Sequence, residues 1–537
     1  MKNGMDHWKS RAVPRMRKEA LFGDRVVDCF AERPRSLHAM WLNAVARYSD
    51  REAVAHEGRR WTYAQADEIV RAMAAGWAAR GINRGDRVAL MLNNCPEFLF
   101  ALFALQQLGA VAVPLSTREQ GAGIAYMLNQ CEAKGILFDA EFTDRIPDQS
   151  QVPTLVTRVV NGERNGVPSL AELALDTTQT AAPVQVNPED TAIILYTSGT
   201  TGYPKGAMLT HVNVAHSVRH YEVAFELTCN DRAALVVPAT HVTGLVAMVL
   251  AAVHAGAACV IAPPFKAAEC LEFFAREAIT YTIMVPAMYS LMLLSPEMDR
   301  CDLRHWRIGG YGGAPMAVSA IEELGRRLPR LGLMNAYGAT ETTSPTTISP
   351  VASDISRAGS IGVALPCADV LVMNDEGQEV PTGESGELWI AGPMVVAGYW
   401  NAPDASAAAF VGGYWRSGDI GHVDAQGFVH ISDRKKDMLS RGGFKIYSAE
   451  VENRLMAYPG VVEAAVVGKP CPVLGERVHA FIHAPGVPHV DESLRRHCAE
   501  TLSDYKVPES YTWTDEPLPR NANGKLLKRV LRERLLV

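Results

Sequence analysis

The chain has 537 residues, more than one hydrophobic core usually serves, so more than one domain is expected. Its 48% hydrophobic and 21% charged residues are those of an ordinary soluble globular protein and exclude a disordered or fibrous chain. A net charge of −7, without a long run of either sign, leaves no electrostatic footprint for nucleic acid or an anionic membrane, so any anionic substrate has to be gathered locally.

The N-terminus, MKNGMDHWKSRAVPRMRKEALFGD, is charged and has no apolar core after it, which is not the pattern of a secretory signal. Thr62 and Gln65 form a capping-box pattern, and Ala66, Val70, Met73 and Trp77 follow at helical spacing until Gly81. RVALML (87–92) reads as a buried strand, Pro96 opens an apolar helix, and Gly109 precedes AVAVPL (110–115), giving strand, helix, strand. AIILYT (192–197), ALVVPA (234–239), ACVIA (258–262), TIMVP (282–286) and GLMNAYG (332–338) continue the series. Strands alternating with helices predict parallel sheets covered on both faces, with ligand sites at the loops that leave the strands. The stretch from Leu245 to Pro263 carries no charge and approaches the length of a bilayer span. His254, Gly256 and Pro263 divide it into a buried helix, a turn and a strand, so no transmembrane segment is expected.

From about residue 360 the segments become shorter and richer in Gly, which predicts antiparallel strands with turns at DEGQEV (375–380) and DAQGF (424–428). The cluster Asp433-Arg434-Lys435-Lys436-Asp437 marks the boundary between a large domain, 1–435, and a small one, 436–537. In the small domain a helix (449–457), the strands VVEAAVVG and RVHAFIHA, a helix near 491–502 and a last helix from Lys525 are expected. The fold class is therefore α/β: a large N-terminal domain of parallel-type sheets with helices plus a smaller β-rich part, and a small mobile α+β C-terminal domain. Ten cysteines, none closer than Cys259 and Cys270, suggest neither metal pairs nor a disulfide scaffold, and the C-terminal LLV is no peroxisomal address. A cytoplasmic location is expected.

YTSGTTGYPKG (196–206) packs glycines, Ser and Thr hydroxyls and one Lys behind an apolar strand. Exposed backbone N–H groups, hydroxyls and an ammonium are what a polyphosphate needs, and Gly lets the backbone approach it. It is not a Walker loop, because Pro204 precedes Lys205 and Gly206 follows it; Gly524-Lys525 has Pro519 and Leu526 where Gly and Ser or Thr are required. The string resembles the signature loop of the adenylate-forming superfamily, which includes acyl-CoA synthetases, luciferases and peptide-synthetase adenylation domains. YGATE (337–341), YWRSGDIG (414–421), DRKKDMLSRGGFKIYSAEVE (433–452) and PRNANGK (519–525) are similar to its later motifs, in order, so the resemblance covers nearly the whole chain.

The resemblance implies an AMP-forming acyl-CoA synthetase of the fatty-acid or aryl-acid type, with ATP, Mg²⁺ and coenzyme A as its small-molecule requirements. It assigns Thr197, Ser198, Gly199, Thr200, Thr201, Gly202 and Lys205 to the β and γ phosphates, Thr340 to the α-phosphate and Glu341 to Mg²⁺, a hard cation suited to carboxylate oxygen. Adenine is expected against Tyr337, with Gly313, Ala314 and Pro315 along its edge and Asn335 as an amide partner, and the ribose hydroxyls at Asp419 and Arg434. Lys525 is expected to stabilise charge on the attacking carboxylate and the α-phosphate, His241 in PATHVTGL to stand between the acyl and thiol channels, Gly443 to border the pantetheine arm, and Lys436 to serve as hinge. Ser448 stands where relatives often have Pro, and Ser417 where they often have Thr.

By the same resemblance Val242, Thr243, Ile283, Met284, Tyr311, Gly312, Ala336, Thr343 and Ser344 line the acyl pocket. No Lys or Arg is among them, which argues against a dicarboxylic acid, whose second carboxylate would be buried unpaired. Medium-chain fatty acids and aromatic acids are left undivided. Nothing forbids a homodimer. An acyl-AMP ligase serving a carrier protein, a luciferase-like oxygenase and a non-catalytic binding module share these motifs; the presence of Lys525, Glu341 and Asp419 argues against the last.

Overall fold

The structure, a computed structural model, describes residues 3–163, 166–175, 181–197, 203–350, 355–442, 444–520 and 526–535. It divides into two compact units, one of Met1–Val370, Trp389–Arg416 and Ala425–Val429, the other of Leu371–Leu388, Ser417–Asp424 and His430–Val537.

The first unit contains a six-stranded and a nine-stranded sheet. In the six-stranded sheet Arg87–Met91, Val111–Pro114, Gly135–Asp139, Thr157–Asn161 and Thr191–Thr197 run parallel, and Lys205–Thr210 closes one edge antiparallel. The nine-stranded sheet has a parallel centre of Gly332–Tyr337, Ile308–Tyr311, Tyr281–Met284, Arg232–Leu235, Ala258–Ile261 and Glu52–His56. Buried strands of this kind read as apolar runs, which is why they stand out in the sequence. The capping box at Thr62 starts the helix Tyr63–Ala79, and Pro96 opens the helix Pro96–Gln107.

Two local expectations are corrected. The strand expected over 234–239 ends at Leu235, because Asn94 takes the next backbone groups: its Nδ2 donates to Val237 O at 3.0 Å and its Oδ1 accepts from Ala239 N at 2.8 Å. The last helix starts at Lys528 rather than Lys525, since Leu526 bridges Arg520 and Leu527 N donates to Pro519 O at 2.8 Å. The uncharged stretch after Leu245 forms a buried π-helix (Thr243–Leu250), a helical turn (Ala251–Ala255), a left-handed Gly256 and the strand Ala258–Ile261. Among the described residues no helix is long and apolar enough to cross a membrane.

The second unit is built on the antiparallel pair Glu463–Cys471 and Gly475–His483, with Ser510–Thr514 parallel to the latter. Its helices Ser448–Met456 and Asp491–Ala499 bury Val451, Leu455, Leu494 and Cys498 in one core with Val466 and Ile482. The chain passes between the units within the strands Asp369–Met373, Gly386–Ala391, Tyr414–Val423 and Val429–Arg434.

Candidate active site

In the first unit the expected residues lie at strand ends. Thr197 ends its strand and is in register with Lys205, which begins the return strand. The glycine-rich segment thus connects two antiparallel strands, whereas a Walker loop leads into a helix. Ser198, Gly199, Thr200, Thr201 and Gly202 lie outside the described residues.

Gly332–Tyr337 leads into a loop that closes on itself: Ala339 N donates to Thr342 Oγ1 (2.9 Å), Ser344 N to Ala339 O (3.0 Å) and Thr346 N to Tyr337 O (2.8 Å). These bonds hold Thr343 and Ser344 at φ 51° and 34°, left-handed conformations that cost on the order of 1–3 kcal/mol each in a non-glycine residue. Thr340 and Glu341 sit on the 3₁₀ turn Thr340–Thr342 inside this loop.

Glu341 is buried, and its Oε1 accepts from Tyr399 Oη at 2.9 Å and lies 3.5 Å from Thr197 Oγ1. Tyr399, absent from the sequence-derived site, is brought there by backbone pairing. Met208 N donates to Gly398 O (3.1 Å) and Trp400 N to Gly206 O (2.7 Å), so the segment lies along the Lys205–Thr210 strand, and the Lys205 ammonium stands 5.3 Å from the Tyr399 ring centroid. Burial, and then the Glu341 charge, push the Tyr399 phenol up, so it stays a donor. Thr197, Lys205, Glu341 and Tyr399 therefore converge as hydroxyl, ammonium, carboxylate and phenol.

Beyond the strand Ile308–Tyr311, Gly312 and Gly313 shape the turn to Ala314 and Pro315. A Cβ on Gly312 would fall 2.3 Å from Ala336 O, and Gly313 has φ 78°. Gly313, Ala314 and Pro315 are exposed, and Tyr337 is half-buried. Asn335 pairs with Tyr311, and its Nδ2 donates to Ser360 O at 3.1 Å. His241 is exposed, and desolvation by the protein around it lowers its pKa from the ordinary value.

The residues expected around an acyl group divide by strand alternation. Ile283 shares a core with Val242, Met334 and the helix residues Tyr221 and Phe225, and Ala336 packs against it. Met284 and Tyr311 belong to the core on the other face, with Tyr289, Met316 and Leu333. Ser344 Oγ lies 2.9 Å from Tyr221 Oη, Thr343 is fully buried, and Thr243 is half-buried at the start of the π-helix. The structure thus gathers Val242, Ile283 and Ala336 on one face and separates Met284 and Tyr311 from them.

In the second unit Asp419 is buried and pairs with Arg434 (Oδ1 to Nε 3.0 Å). Ser417 does what the commoner Thr would: its hydroxyl donates to Leu388 O (2.7 Å) and accepts from Asp419 N (3.0 Å). Ser448 does what proline could not. Its N–H and its hydroxyl, the latter at 3.0 Å, both bond the buried carboxylate of Asp433. Lys528 Nζ donates to Ser448 Oγ (2.6 Å) and pairs with Glu452 (2.6 Å), tying the last helix into the knot. Burial pushes the Asp433 and Glu452 carboxyls up while Lys528 opposes it. Lys436 is exposed, and its carbonyl accepts from Arg532 Nη2 at 3.1 Å. Gly443 and Lys525 lie outside the described residues.

Residues 41–400 match the family model of AMP-binding enzymes, and residues 450–525 that of the AMP-binding enzyme C-terminal domain. A long-chain-fatty-acid–CoA ligase of Mycobacterium tuberculosis, FadD13, is 33% identical over 477 residues, 88% of this chain and 93% of the relative. A feruloyl-CoA synthase of Amycolatopsis is 35% identical over 485 residues, 90% of this chain and 95% of the relative. Among solved structures, o-succinylbenzoate coenzyme A synthetase from Bacillus subtilis with ATP and a magnesium ion is similar at a TM-score of 0.82 and 28% identity, over 94% of this chain and 100% of its own. The same enzyme with its acyl-adenylate gives 0.82 and 29%, over 92% and 97%.

Proposed function

The chain belongs to the AMP-binding enzyme family, and from that premise we propose that it is an AMP-forming acyl-CoA synthetase. A carboxylic acid and ATP give acyl-AMP and pyrophosphate, and the thiol of coenzyme A then takes the acyl group and releases AMP. The observation that carries this reading is the convergence of Thr197, Lys205, Glu341 and Tyr399. The first step brings two anions together and expels a third, so catalysis is charge cancellation by groups fixed in advance. Lys205 and the Thr197 hydroxyl would bind phosphate oxygens with the segment 198–202, and Thr340 the α-phosphate. Lys525 would neutralise charge that develops between carboxylate and α-phosphate.

Glu341 fits Mg²⁺: it is a carboxylate held by a phenol and beside a hydroxyl, all hard oxygen donors. Among the described residues no three His, Cys, Asp or Glu side chains cluster for a metal, so phosphate oxygens and water would complete its shell. When bound, the ion offsets phosphate charge. Asp419, with Arg434, would accept the ribose hydroxyls, and Tyr337 with Gly313, Ala314 and Pro315 would meet the adenine. His241 would border the reacting carboxylate, and Gly443 the pantetheine arm. Ten free thiols support a reducing compartment, the cytoplasm.

The names of the FadD13 and feruloyl relatives, both CoA-thioester-forming enzymes, support the second half-reaction. The test is acid-dependent exchange of labelled pyrophosphate into ATP, followed by thioester formation on adding coenzyme A. Acyl-AMP that free coenzyme A never consumes would replace this reading with a ligase serving a carrier protein. Absence of exchange with every acid would end it.

A further inference from the structure

Ile283, Gly310, Met334 and Ala336 lie on one face of adjacent parallel strands, in register Ile283 with Gly310 and Gly310 with Met334. The helix His211–Phe225 covers that face. At the level of Gly310 the space is full: a Cβ there would meet Ile283 Cγ1 at 2.7 Å and Phe225 Cζ at 3.2 Å. Phe225 is 1% exposed and backed by Tyr281, ring centroids 6.4 Å apart. One step outward, at Gly312 and Ala336, the sheet offers no side chain beyond a methyl. Tyr221, four residues before Phe225 and so about 6 Å nearer the start of the helix, stands beside Ser344, its hydroxyl satisfied at 2.9 Å.

We infer that Phe225 is the specificity-determining floor of the acyl site, and that the site takes a single-ring aromatic monocarboxylic acid. The inference rests on the ligase reading and names its substrate class. From the level of Ala336 to that of Gly310 is two strand residues, about 7 Å, the depth of one ring and too short for a long alkyl chain. The walls suit a flat group: glycine and alanine backbone on one side, the Tyr221 ring on the other and the Phe225 ring below, so that ring meets ring in offset or edge-on contact. The Tyr221 hydroxyl is already paired with Ser344, so it needs no partner from the acid.

The experiment measures kcat/KM for thioester formation with benzoate, cinnamate, hexanoate and palmitate in wild type, Phe225→Ala and Phe225→Leu. Wild type is expected to favour the single-ring acids over palmitate by at least roughly 100-fold, since each methylene without room costs about 10-fold or more. Phe225→Ala opens the floor and is expected to raise palmitate relative to benzoate by at least about 10-fold. Phe225→Leu nearly conserves core volume, keeps the fold where Ala destabilises it, and is expected to move the ratio the same way by less. Wild-type preference for palmitate, or an unchanged ratio in both variants, overturns the inference and leaves the ligase reading standing. Activation of no acid at all overturns both.

Discussion

Tyr399→Phe deletes a single oxygen and tests whether Tyr399 holds Glu341 for its task. That oxygen donates to Glu341 Oε1 at 2.9 Å, and the neighbouring Thr197 hydroxyl, at 3.5 Å, is too far to replace it. A hydrogen bond to a buried charged group contributes about 1.5–3 kcal/mol, which at 1.36 kcal/mol per decade is roughly 10- to 150-fold. The phenyl ring stays under the Lys205 ammonium, 5.3 Å from its centroid, so the phosphate contact proposed for Lys205 is expected to be retained. The loss is therefore expected in kcat/KM for Mg²⁺-ATP in acid-dependent pyrophosphate exchange, with a raised Mg²⁺ requirement and a folded protein by thermal unfolding. Tyr399→Leu removes the ring as well and is expected to lose more. Wild-type kcat/KM and Mg²⁺ dependence in Tyr399→Phe would refute the assignment of Tyr399 to Glu341, and equal losses in Phe and Leu would refute the contribution of the ring to Lys205.

Lys525→Ala is expected to lower pyrophosphate exchange by at least on the order of 10² to 10³ while ATP still binds, because the charge acts mainly in the transition state; near-normal exchange counts against it. Lys436→Pro, which fixes φ near −65°, is expected to impair one half-reaction far more than the other when exchange and thioester formation are measured separately. Ser448→Pro removes two hydrogen bonds from the buried Asp433 carboxylate and one from Lys528, and is expected to destabilise its unit by about 3–5 kcal/mol in denaturant unfolding; Ser448→Ala, which keeps the N–H, should cost less. Glu19, held down to about 2 by hydrogen bonds from Arg33, contributes stability that is present above its ordinary 4.5 and lost as pH falls from 4.5 toward 2. Glu19→Gln is thus expected to unfold about 1–2 kcal/mol more easily at pH 7, the near-surface pair being screened, and to match wild type near pH 2.

Strands and caps were legible because each carries its signal locally. A buried parallel strand is an apolar run whatever lies beside it, and a phosphate segment needs Gly, Ser and Thr wherever it sits, so the strands before Thr197 and through Tyr337 were read correctly from sequence alone. Capping is local too: Thr62 and Gln65 exchange hydrogen bonds as their spacing implied. The strand expected over 234–239 runs instead from Arg232 to Leu235, because what ends it, the Asn94 amide, comes from more than 140 residues earlier in the chain.

What was not legible is partnership across the chain. Tyr399 is one of sixteen tyrosines and gains its role from pairing with the strand Lys205–Thr210 and from a carboxylate 58 residues away. Ile283 and Met284 are neighbours in sequence, and a resemblance by motif assigns both to one pocket, yet a strand sends successive side chains to opposite faces, so a helix over one face can meet only the first of them. The same rule turns Gly310 from a small residue in GGYGG into the seat of Phe225, because its Cβ direction points at that ring. A motif thus names the residues proposed for ATP, whereas Phe225, proposed here to select the acid, comes from a helix distant in sequence and fills the second face. Mutations at Phe225 should accordingly change which acid is used while leaving the ATP dependence of exchange with a preferred acid near wild type, and mutations at Tyr399 should do the reverse.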